Sequence, residues 1–243
     1  MAETGTLRLF PLNTVLFPGA VVHLHVFEER YRTMIAECLD TGEAFGVVLI
    51  RDGAEAGDPN VVPHEIGTTA AIAEVTPLPA GRYAIRATGD RRFRIERIVS
   101  REPYLRAEVE FLDDPDDAPR AAGARAVELS DRVAGEFREY VRLLVAFSGK
   151  SADVQLPDDP VDASYVVGDA LQVADALKQR LLELRTAEAR LAAELGFLRR
   201  LLPQLRQLLE RRRAQERVVR DDAPGGEFRS HQERFFGKHF SLN

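Results

Sequence analysis

Few side chains in this sequence stand at spacings that could do chemistry. Ser148-Gly149-Lys150-Ser151 ends like a phosphate-binding loop, in which backbone amides and a lysine cradle phosphate oxygens. That pattern needs a glycine five residues before Gly149, where this chain has Leu144, and the run follows a helical pattern instead of a strand. Nucleotide binding is therefore not expected. A Ser–Lys dyad on the same residues would need a desolvated lysine, and so polar a loop leaves Lys150 in water. His23 and His25 stand two apart in a β-rich run and share one face. Two imidazoles can bind a metal, but no third ligand stands at a supporting spacing. His64-Glu65 lacks the second histidine of a helical zinc motif, and His231 and His239 lack supporting cysteine or carboxylate spacing. No catalytic residue, metal ligand or cofactor is expected.

Two further groups read as structural, and one as a surface. Cys38 falls on the apolar face of a helix, where burial raises a thiol's pKa and leaves it inert. Arg211-Arg212-Arg213 reads as a solvated helix end near that helix's negative pole. Val15, Leu16, Phe17 and Pro18 form an apolar loop with two readings: it closes one end of a core, or it is an exposed rim that touches polypeptide.

These residues need elements to position them. Val21–Val26 is short and β-rich, and Pro18-Gly19 before it is a turn. Tyr31, Met34, Ile35, Cys38 and Leu39 then follow helical spacing, with Gly42 as the stop. Phe45–Ile50 is an apolar strand, residues 51–64 a loop, and Gly67–Val75 a strand of small residues. Residues 82–88 and 91–99 read as separate strands broken at Gly89-Asp90. From Leu105 to Phe111 apolar and charged residues alternate, marking a half-buried strand. About six short strands with one helix favour closure into a barrel, which removes exposed edges.

PLNTVLFPG, VFEERY, FGVVLIR, IGTTAAIAEV, GDRRFRI and PYLRAEVEFL occur here in that order. In content and order they resemble the N-terminal substrate-binding domain of Lon proteases. The resemblance covers residues 7–112 and continues more weakly to about residue 210. It implies an α+β fold: a barrel like that of pseudouridine-synthase-and-archaeosine (PUA-like) domains with one packed helix, then a helical bundle ending in a long helix. The ATPase and protease parts of a Lon do not appear in the sequence, so no catalytic residue is carried over.

Residues 112–123, acidic and Pro-containing, read as a linker, and residues 125–147 as a helix. Residues 148–161 read as a loop and 163–171 as a short helix. Leucines from Leu177 to Leu209 recur in threes and fours, a heptad seam when read alone. The resemblance instead suggests a break near Arg185-Thr186 with Thr186 capping the last helix, and that is the reading adopted. Pro203 should kink that helix. The expected division is a β-rich subdomain over 1–115, a helical one over 124–215 and a tail over 216–243, with a hinge at 221–227. Phe228, Phe235, Phe236 and Phe240 in the tail either pack on the chain or dock elsewhere.

Composition narrows the function. The net charge is −6, yet residues 199–220 carry +6, and by difference residues 1–198 carry −11. An acidic body with one basic helix end argues against a dedicated nucleic-acid binder. The single cysteine excludes an internal disulfide, no apolar run approaches membrane length, and the N-terminus lacks a signal-peptide pattern, so the cytoplasm is expected. The resemblance implies a non-catalytic polypeptide-binding module taking unfolded or degron-bearing clients, with an adaptor role in quality control. Val15, Leu16, Phe17 and Pro18 are its expected contacts, beside a groove between barrel and helices. A full-length Lon, another protease or a second copy of the chain stand as open partners. A PUA-like module for small ligands or RNA is the alternative.

Overall fold

The computed structural model describes residues 3–55, 57–58, 60–112, 123–149 and 155–221, and the side chains among them up to residue 215. The first half is a sheet that closes on itself. β1 (Thr4–Leu12) pairs with β7 (Arg106–Leu112), β7 with β6 (Arg82–Ser100), β6 with β5 (Ile66–Leu78), and β5 with β3 (Phe45–Asp52). Closure comes from a parallel pairing of β3 with β1, from Leu9 opposite Gly46 to Leu12 opposite Leu49. β4 (Val62–Pro63) pairs antiparallel with the end of β3, and β2 (Val21–Val26) pairs with the first part of β6. The fold is α+β, as expected.

The parallel pair is buried on both faces, the usual environment of parallel strands. Leu7 and Leu9 of β1, with Val48 of β3, pack around Phe93, Leu105, Ala107 and Val109. Phe10 and Leu12 of β1, with Phe45 and Val47 of β3, point the other way, onto Tyr31, Met34, Ile35 and Cys38 of α1 (Glu29–Thr41). Helix α1 ends at Gly42, which takes the left-handed conformation (φ 71°).

β6 corrects the expected break at Gly89-Asp90: it runs unbroken for 19 residues. Gly89 is there for close approach, a recognised reason for glycine in a strand. A Cβ at this position would lie 2.2 Å from the Phe17 carbonyl oxygen. The Gly89 amide donates to the Ala20 carbonyl (2.8 Å) and the Gly19 amide to the Gly89 carbonyl (2.9 Å). Thr68 Oγ1 also donates to the Leu16 carbonyl at 2.6 Å. The loop after β1 is thus pinned onto the barrel.

The helices are α2 (Ala124–Ser148), α3 (Pro160–Ala170), α4 (Asp175–Glu183) and α5 (Ala187–Asp221). The break after α4 is real, and the Thr186 hydroxyl accepts from the Ala189 amide at 3.2 Å as N-cap. α5 continues through Pro203. The compact units do not follow the expected boundaries. One contains the described residues of 1–133 and 156–195, the other those of 134–155 and 196–221. In the first, α3, α4 and the start of α5 hold to the barrel. Buried Arg92 donates to the Leu182 and Leu184 carbonyls (2.8 and 2.7 Å) at the end of α4. Gln179 donates to the Ile66 carbonyl (3.0 Å). In the second unit Arg206 reaches Glu139 (3.5 Å), and Arg212 donates to the Phe147 carbonyl (2.5 Å). Arg212 therefore serves the C-terminal end of α2, while Arg211 and Arg213 are exposed within α5. Lys150, Ser151, most of the linker, and the tail with its four phenylalanines lie outside the described residues.

Candidate polypeptide-binding groove

Of the two readings of the Val15–Pro18 loop, closure of a core and an exposed rim, the burial of its side chains fits the first. Val15 is 6% exposed, Leu16 4% and Phe17 0%; Pro18 is half-buried. The Phe17 ring lies 6.4 Å from Tyr165 of α3 and against Gly168, so it fastens barrel to helix. The loop cannot present these three side chains to a partner without opening.

Exposed apolar surface appears instead around β2. Val21 (47% exposed) and Phe27 (56%) stand at its two ends, and His23 and His25 are exposed between them. The alternate residues Val22, Leu24 and Val26 pack toward the core shared with α1. An open groove of about 430 Å³ runs along this strand, lined by His23 to Glu28 in unbroken succession and, opposite, by Phe10, Leu12, Tyr31 and Glu55. Successive strand side chains point to opposite faces. A groove that meets them all in turn follows the strand's edge.

Its polar rim is tied down. The Arg30 guanidinium lies 4.5 Å over the Tyr31 ring and donates to Glu28 (3.0 Å) and to the Asp58 carbonyl (3.1 Å). The Gly57 amide also donates to the Glu28 carboxylate (3.2 Å), and the Asn13 amide to that of Glu55 (3.1 Å). Burial pushes the Tyr31 hydroxyl up to about 12, so it stays neutral. The lining holds no serine, threonine, cysteine or lysine. Its polar members are two imidazoles, two carboxylates and a phenol, set among apolar side chains.

Other clusters are structural in character. Arg8 bridges Glu37 (3.1 Å) and Glu43 (2.6 Å), and the Tyr104 hydroxyl donates to Glu37, tying β1 and the segment before β7 to α1. The Tyr104 bond, then Arg8, holds the Glu37 carboxyl below the usual carboxylate range. Cys38 is free and buried, and burial pushes its thiol up to about 11. A polar cleft of about 210 Å³ lies between Arg94, Glu110, Glu183 and Arg185, with Arg94 paired to Glu110 at 3.0 Å. Among the described residues no group of three or more His, Cys, Asp or Glu could hold a metal ion. His23 and His25 share a face as expected, and the His25 ring is tilted against Phe27 with 6.2 Å between the ring centres. The signal for the groove was in the sequence. Read in alternation, Val21-His23-His25-Phe27 against Val22-Leu24-Val26 marks a strand with one buried and one solvated face.

A scan against family models matches residues 6–200 to the substrate-binding domain of ATP-dependent protease La (Lon). The chain belongs to the Lon substrate-binding domain family. It is 28% identical over 199 residues to the Lon protease of Rhizobium meliloti (strain 1021), covering 81% of this chain and 24% of that protein. The crystal structure of a Lon N-terminal domain protein from Xanthomonas campestris is 30% identical, with TM-score 0.57 over 79% of this chain and 98% of that one. The N-terminal domain of a Mycobacterium avium complex Lon protease shares the fold at 20% identity and TM-score 0.54, over 80% and 98%. The chain spans about a quarter of its curated Lon relative's length, and the matched part is the substrate-binding domain, not a catalytic one. Among the described residues no helix of this Lon-type domain is long and apolar enough to cross a membrane.

Proposed function

We propose that this Lon-type domain binds unfolded or degron-bearing polypeptide along the β2 groove and itself makes and breaks no bonds. In this reading it is a cytoplasmic adaptor in protein quality control, offering clients to a full-length Lon or another protease. The observation that carries the reading is the exposed Phe27 lining a largely apolar groove that holds no serine, threonine, cysteine or lysine. Shallow apolar recognition suits clients of varied sequence. The small-ligand or RNA alternative has less support, because Arg94 in the polar cleft is already matched by Glu110. The test is fluorescence anisotropy with labelled, reduced and carboxymethylated α-lactalbumin, a permanently unfolded polypeptide. Phe27→Asp should weaken binding about tenfold, a loss of about 1.4 kcal/mol, with the melting temperature unchanged because Phe27 is more than half exposed. Binding by the variant equal to the wild type would overturn the assignment of the groove.

A further inference from the structure

We propose that the free edge of β2 receives an extended apolar and basic polypeptide segment as an added strand; the inference rests on the polypeptide-binding reading above. All six residues of β2 pair with β6 without a register shift, from Val21 opposite Thr88 to Val26 opposite Tyr83. By contrast, the pairings of β6 with β5 and β7 are interrupted by bulges. In an antiparallel ladder, alternate residues turn their N–H and C=O toward the neighbouring strand and the others turn theirs away. About three residues of β2 thus aim backbone donors and acceptors outward. Among the described residues, no other backbone or side-chain group bonds to them. Edge strands are normally blunted by lysine, proline, a bulge or a cover. The sequence Val-Val-His-Leu-His-Val carries no lysine or proline, and its edge opens onto the groove.

The groove also states the occupant's character. Its far wall offers Phe10, Leu12 and the Tyr31 ring to apolar side chains. Its charged residues are Glu28 and Glu55, with no arginine or lysine in the lining. Arg30 is held on Glu28, so among the described residues Glu55 has no salt-bridge partner, which favours a segment carrying lysine or arginine. Strand addition takes its affinity from backbone bonds and leaves side-chain preference loose, as a receptor for varied clients requires.

Backbone methylation of the probe isolates this claim while leaving the protein native. The probe is a fluorescein-labelled octapeptide alternating valine and phenylalanine, with a lysine at each end, made unmodified and in two forms N-methylated at odd or at even residues. The unmodified peptide should bind, one methylated form should bind at least tenfold more weakly, and the other should keep most of its affinity, because only one edge of the added strand meets β2. Equal binding of all three would overturn strand addition and leave the polypeptide reading standing. No binding of the unmodified peptide, while unfolded α-lactalbumin still binds and Phe27→Asp weakens it, would also overturn strand addition alone. A concentration-dependent dimer in sedimentation that His23→Lys, at an exposed position, abolishes with the melting temperature kept would assign the edge to a second copy and overturn the proposal.

Discussion

Arg190 and Glu194, one turn apart on α5, are both fully buried, and the rest of that pocket must accommodate them. Arg190 donates to the Ser164 hydroxyl (2.9 Å) and the Leu184 carbonyl (2.9 Å), and lies 4.2 Å over the Tyr165 ring. Neither carboxyl oxygen of Glu194 finds a hydrogen-bond donor among the described residues. Burial pushes the Glu194 carboxyl well above its usual value, and nearby Arg190 only partly opposes that. The folded state therefore holds this proton more tightly than the unfolded chain. The stability it contributes is fully present below about pH 4.5, the usual glutamate value, and is lost as pH rises through the raised folded value. Glu194→Gln keeps the shape and removes the titration. The variant should match the wild type at pH 4 and exceed it by at least about 1 kcal/mol at pH 8, measured by urea unfolding across pH. A constant difference at all pH values would contradict a titrating Glu194.

At the scale of elements, β6 depends on Gly89 in a way that steric contact makes testable. Gly89→Ala would drive a methyl into the Phe17 carbonyl, with backbone on the other side of the contact and no flexible side chain to give way. A cost of about 3 kcal/mol is expected. The same substitution at exposed Gly135 in α2 meets nothing within 4 Å and should stabilise by up to about 1 kcal/mol. Opposite signs in thermal unfolding check the pair, and a neutral Gly89→Ala would mean the loop is not pinned there. This site also shows where sequence reading stopped. Helical periods and the Gly42 stop were legible because they are local patterns of one chain segment, whereas the Thr186 cap came from the family resemblance, since the leucine spacing read alone runs straight through it. Gly89 looked like a break because a strand glycine has the same appearance whether it ends a strand or admits a neighbouring backbone. The burial of Phe17 was open for a related reason: its partners Tyr165 and Gly168 lie about 150 residues away, and no local spacing encodes them.

At the scale of the molecule, the described residues do not part into a β-rich and a helical body on either side of residues 113–122. Contacts across that stretch of sequence decide the outcome. Arg92 of β6 is 3% exposed and bonds the end of α4, Gln179 of α4 is 1% exposed and bonds β5, and Phe17 is closed over by α3. A chain ending at residue 115 would strand the Arg92 guanidinium without its carbonyl partners and uncover the Phe17 ring. A buried polar group stripped of its partner costs about 1–3 kcal/mol, more when it is charged, and removing cover from a large apolar side chain costs about 1.5–3 kcal/mol. For a domain near the low end of the usual range of about 5–15 kcal/mol, these losses remove most of the margin. Residues 1–115 alone should therefore show no cooperative thermal transition and should bind a hydrophobic dye, while the full chain melts cooperatively. A sharp melting transition in the short chain, at a temperature near that of the full one, would show that the barrel stands without its helices.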